Sequence, residues 1–138
     1  MRYLLLGEVV RLIDCCPSFL KPIVITAVCT GLRKAEIVNI KSHDIDFMNR
    51  IIYIENPKNG KKRDVPMNDY LTGTLKSIKR IYPGPYVFCN KDGNPCCDFR
   101  KSFATALQKA GIKDFRFHDL WHTCASNLVM EGVDLATA

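Results

Sequence analysis

The chain has 138 residues, of which 47% are apolar and 25% charged, so it can build one folded domain and is not a disordered or low-complexity segment. Against 14 Asp and Glu stand 20 Lys and Arg, a formal charge of +6 that favours an anionic partner such as DNA, RNA or a lipid surface. Leu4-Leu5-Leu6 is too short for a secretory signal and the uncharged run Pro22 to Leu32 too short to span a bilayer, so a cytoplasmic protein with no membrane partner is expected.

The chain opens with helical spacing. Val9, Leu12, Ile13 and Cys16 recur on one face, and Pro17 stops that helix. Lys21 to Thr30 is apolar on most sides and is followed by Gly31, which predicts a central buried helix. A third, shorter helix is expected from Lys34 to Ile40. The period then changes. Asp44 to Phe47 alternates, Met48 to Arg50 reads as a turn, and Ile51 to Ile54 is β-branched and aromatic. Lys62 to Pro66 follows a loop at Asn56 to Gly60 and completes a small antiparallel sheet of three strands. Asn68 is placed to cap a helix running to about Arg80. Tyr82-Pro83-Gly84-Pro85 breaks the chain, Tyr86 to Cys89 is extended, and Lys91 to Pro95 is a turn. Asp98 is the expected cap of a helix carrying Phe99, Phe103, Leu107 and Ala110, ended by Gly111. A last helix is expected from His118 to Glu131. Asp134 reads as the cap of yet another helix, but only four residues follow, so the natural fold is expected to continue past Ala138. The fold class is therefore mainly α with a small three-stranded antiparallel sheet (α+β). The seven cysteines include the adjacent pairs Cys15-Cys16 and Cys96-Cys97 but no repeated Cys-x-x-Cys, which reads as free thiols in a reducing compartment.

Three clusters carry chemistry. In Thr30-Gly31-Leu32-Arg33-Lys34-Ala35-Glu36, an arginine emerges from the end of a buried helix, with a glutamate three residues on that can fix it. A guanidinium fork binds two phosphate oxygens at once, although an ordinary Arg–Glu pair explains the same letters. In Asn56-Pro57-Lys58-Asn59-Gly60-Lys61-Lys62-Arg63, a basic hairpin puts a lysine where it can protonate a leaving oxygen, or simply touch phosphates. In His118-Asp119-Leu120-Trp121-His122, His118, Trp121 and His122 share one helical face. Two histidines at this spacing also suit zinc, but Asp119 stands where H-E-x-x-H has its glutamate, and no metal is expected.

In this order the clusters resemble the catalytic domain of tyrosine recombinases, the phage-integrase-like DNA strand-transfer enzymes, over nearly the whole chain. Arg33 and Glu36 match the family's T-G-x-R-x-x-E, Lys58 its hairpin lysine, and His118 and His122 the ends of its H-x-x-R-H. The resemblance implies a double-stranded DNA partner and a site in which Arg33, His118 and His122 hold the scissile phosphate. In the family a tyrosine attacks that phosphate and the lysine protonates the 5′-oxygen, with no cofactor, because the arginines supply the charge. Lys34, Lys61, Lys62 and Arg63 are the expected phosphate contacts.

The sequence also departs from that pattern. Trp121 occupies the position of the second arginine, and an indole offers one N–H and no charge. The family's second His or Trp falls past Ala138. Tyr3, Tyr53, Tyr70, Tyr82 and Tyr86 all precede the third cluster, and none is expected to be the nucleophile. The expectation is one truncated catalytic domain over 1–138, without its Tyr-bearing segment or an N-terminal DNA-clamping domain, gripping DNA weakly and inactive by itself. It is also expected to expose an apolar patch where the missing helices pack, a route to self-association. Competing readings are a non-enzymatic DNA-binding remnant, a chain whose tyrosine comes from a partner protomer, and an unrelated His/Cys metal protein.

Overall fold

Helical periodicity alone accounts for the first layer. The computed structural model describes residues 6–55, 62–78, 85–88 and 99–120. α1 (Leu6–Cys15) buries Val9, Leu12, Ile13 and, just past its end, Cys16. These positions at i, i+3, i+4 and i+7 form one stripe. α2 (Lys21–Thr30) is buried continuously from Ile23 to Cys29. Its proline lies in the first turn, where a missing N–H costs nothing. The one hydroxyl inside that run, on Thr26, donates to the Pro22 carbonyl at 2.7 Å. α1, α3 (Lys34–Val38) and α4 (Asp69–Lys76) all pack on α2, and α5 (Arg100–Ala110) packs on α1. A single buried cluster extends from Val9 to Leu120.

The sheet has the expected three antiparallel strands, β1 (Ile45–Asp46), β2 (Ile51–Glu55) and β3 (Lys62–Pro66), in the order β1-β2-β3. The register pairs Ile52 with Val65 and Ile54 with Arg63. Directly opposed residues share a face, so Ile52, Ile54 and Val65 line the buried side while Tyr53 and Asp64 face out. At the β1–β2 turn the Asp46 carboxylate accepts both the backbone and side-chain N–H groups of Asn49, which hold its pKa below the usual carboxylate range. The Arg50 guanidinium then ties this turn to Asp69 at the start of α4.

Several expectations need correction. The helix expected from Asn68 to about Arg80 stops at Lys76, with Ser77 as its cap. Asn68 does cap it, accepting the Leu71 N–H at 2.7 Å. The hydroxyls of Thr72, Thr74 and Ser77 all turn back onto backbone carbonyls, and such residues are weak helix formers. α3 ends at Val38 rather than Ile40, because the Ile40 carbonyl instead receives the Val87 N–H at 3.0 Å. The expected strand from Asp44 begins as a 3-10 turn, Ser42–Asp44, since Asp44 bonds back to the Lys41 N–H at 3.1 Å. Phe99 holds the cap position of α5 with no side-chain hydrogen bond, whereas the expected cap, Asp98, lies outside the described residues. The helix expected from His118 starts as a 3-10 turn, Phe117–Asp119, and its remainder lies outside the described residues.

Cys15, Cys16 and Cys29 are not in disulfides, and the latter two are buried. No described helix is long and apolar enough to cross a membrane. The large apolar side chains exposed among the described residues are Phe19, Met48 and Tyr53, on three separate segments.

Candidate functional site

Arg33 owes its position to the way α2 ends. Gly31 adopts φ 74°, a left-handed conformation that glycine takes without steric cost, and its N–H closes onto the Ala27 carbonyl at 2.9 Å. Thr30 caps the next step by accepting the Leu32 N–H at 3.2 Å, and Leu32 is buried. Arg33 therefore leaves the core at a fixed point, with its side chain exposed, and forms the N-cap of α3.

Glu36 fixes Arg33 differently from the sequence expectation. One carboxylate oxygen, Oε1, accepts the backbone N–H of Arg33 at 3.0 Å and so supplies half of a capping box. The other, Oε2, receives Nη2 of Arg63 at 3.3 Å. Arg63 lies opposite buried Ile54 at the end of the hairpin's inner face, so this pair ties β3 to the first turn of α3. The hairpin loop that carries Lys58 and Lys61 springs from that same end and lies outside the described residues. The backbone of Lys62 begins β3.

The third cluster is seated from below. Phe117 stacks edge-on against Phe99, with centroids 5.1 Å apart, and against Phe103 at 5.3 Å. Asp119, buried to 8% exposure, accepts the Arg116 N–H at 3.0 Å, and Leu120 is fully packed. Between these anchors His118 is left facing solvent. Phe99 also carries the Lys34 ammonium over its ring, 4.8 Å from the centroid. A continuous path of contact thus runs from the Arg33 turn through Lys34, Phe99 and Phe117 to the His118 turn. Trp121 and His122 lie outside the described residues.

Among the sequence-predicted residues, the structure joins Arg33, Glu36 and Arg63 directly and links Lys34 to the turn of His118 through two aromatic rings. Sequence reading missed Thr30, Phe99, Phe117 and Asp119 as supports. Asp119 carried a usable signal, since an acidic residue three positions after an extended one is a cap pattern. The aromatic pair carried none, because its members come from different elements. Among the described residues no group of three or more His, Cys, Asp or Glu is placed to hold a metal ion.

The family model described as the phage integrase family matches residues 2–138. This chain belongs to the phage integrase family. The integrase of Salmonella phage P22 is 37% identical over 152 residues, covering 99% of this chain and 39% of the phage protein. The crystal structure of XerA recombinase superposes with a TM-score of 0.83 at 27% identity, covering 97% of this chain and 53% of that one. The λ integrase catalytic core gives a TM-score of 0.75 at 23% identity, covering 93% of this chain and 87% of that core. A λ integrase dimer bound to a COC′ core site gives 0.75 at 22% identity, covering 99% of this chain and 55% of that one. The λ likeness shows the fold, that of a tyrosine recombinase catalytic domain. The phage integrase chain described here spans about two-fifths of the length of the P22 protein and about half that of XerA.

Proposed function

We propose that this chain is the phosphate-gripping part of a recombinase catalytic domain that works on double-stranded DNA in the cytoplasm. The observation that supports it best is the contact path linking the Arg33 and His118 turns, together with the Glu36–Arg63 pair beside the Lys58 hairpin. In this reading the Arg33 fork takes two oxygens of one backbone phosphate, while His118 and His122 donate to the remaining charge. Lys58 stands ready to protonate the departing 5′-oxygen, and Lys34, Lys61 and Lys62 contact flanking phosphates. The solved λ integrase dimer is bound to a DNA core site, and the shared fold is consistent with the same partner here.

The test is fluorescence anisotropy of a labelled duplex titrated with the chain at several salt concentrations. Binding should be weak and should fall steeply as salt rises, as phosphate contacts require. Arg33→Ala should weaken it about uniformly across DNA sequences and reduce the salt slope by about 1. An Arg33→Ala protein that binds as the parent does would overturn the assignment.

A second reading, a DNA-binding remnant impaired in cutting, is favoured by Trp121 alone. The chain can be fused to the Tyr-bearing C-terminal segment of a relative. Trp121→Arg should then raise covalent protein–DNA adducts by about 10²–10³, the usual effect of one charge-stabilising donor. Equal adduct yields from both fusions would show that Trp121 does not disarm the site.

A further inference from the structure

We infer that Arg63 is a positioning residue: its ion pair with Glu36 latches β3 onto the turn that presents Arg33. This rests on the proposed function only for its consequence in DNA binding; the latch itself is a property of the free protein. Three observations meet at Glu36. Oε1 holds the Arg33 N–H at 3.0 Å, so the carboxylate defines where Arg33 leaves the core. Oε2 is 3.3 Å from Nη2 of Arg63, a residue 27 positions further along the chain. The Glu36 side chain is 29% exposed and that of Arg63 is 61% exposed, so the pair is a surface contact anchored on its glutamate side.

Geometry favours positioning over a simple phosphate contact. Arg63 is paired across the hairpin with buried Ile54, so it starts from the inner face of the sheet and turns along the protein towards α3. Among the described residues the Glu55–Lys62 pair is the one that follows it. A side-chain tether from this part of β3 to another element restricts its local opening. Because one carboxylate serves both partners, a shift of the hairpin reaches the Arg33 backbone through two bonds. An exposed ion pair of this kind adds little to global stability, but it selects one orientation of the two elements.

The experiment is backbone hydrogen exchange of the full chain without DNA, read by mass spectrometry, beside anisotropy with the labelled duplex. Arg63→Gln should raise exchange in both 62–66 and 33–37 by about two- to fivefold, the range an exposed ion pair sustains. Glu36→Gln should do the same, and the double variant should add nothing further. Arg63→Lys should restore most of the protection, which a bulk packing role would not predict. In the DNA arm, Arg63→Gln should lower affinity while leaving the salt slope unchanged. Unaltered exchange at 33–37 in Arg63→Gln, or a salt slope reduced by about 1, would make Arg63 a phosphate contact and overturn the latch. If the parent chain binds no DNA at any salt, the proposed function fails, and exchange alone decides the latch.

Discussion

Single residues in this protein are set by what their polar atoms can reach. Cys16 is an instance: its thiol donates to the Leu12 carbonyl at 3.1 Å, and burial, assisted by neighbouring Cys15, raises its pKa from 9.0 to about 11. Well below pH 9 the thiol is protonated whether the chain is folded or not. Between pH 9 and about 11 the unfolded chain ionises while the folded one resists, so stability is present below pH 9 and lost as pH climbs towards 11. A shift of this size sets that loss at on the order of 1–3 kcal/mol. Urea midpoints of the parent should therefore decline more steeply over this window than those of Cys16→Ala. Parallel declines would remove Cys16 as the cause. Glu36 shows the same rule at the candidate site. The i, i+3 spacing from Arg33 was legible in the sequence, yet the carboxylate bonds the backbone N–H and a different arginine.

At the scale of elements, local signals held where the chain supplies its own partners. The Lys21–Thr30 helix, the Gly31 stop, the Lys62–Pro66 strand and the Asn68 cap are all encoded within a few residues. Asn68→Ala should lose about 1 kcal/mol of stability, measured by chemical denaturation, because the Leu71 N–H at 2.7 Å is left without its acceptor. A change below a few tenths would mean water replaces the cap fully. Element ends were less legible. α3 stops early because Ile40 and Lys41 turn to pair with Tyr86 and Val87, more than 40 positions away. α4 stops early because three hydroxyls compete for its carbonyls.

For the molecule as a whole, Phe99 is the crossing point. It is buried at 2% exposure, meets Phe117 edge-on and lies under the Lys34 ammonium. Phe99→Leu keeps most of the volume but removes the ring edge and the cation's partner, so a loss of roughly 1–2 kcal/mol in urea unfolding is expected. The same variant should weaken duplex binding in the anisotropy assay with an unchanged salt slope, because it alters how the two turns are held and removes no charge. Full DNA affinity in a clearly destabilised Phe99→Leu protein would show that the two turns act independently.

The sequence by itself determined the family and the order of helices and strands among the described residues, and it singled out Arg33, Glu36, Lys58 and His118 as residues to test. The order of elements depends on backbone geometry and spacing that repeat within a turn or a strand pair, whereas the family and the site residues follow from motifs that resemble a known pattern. Only the tertiary structure decided that Glu36 belongs to Arg63, that Lys34 rests on Phe99, and that Phe117 seats the His118 turn. These are contacts between segments distant along the chain. They form when apolar burial folds those segments together, and no local period records which side chains then meet.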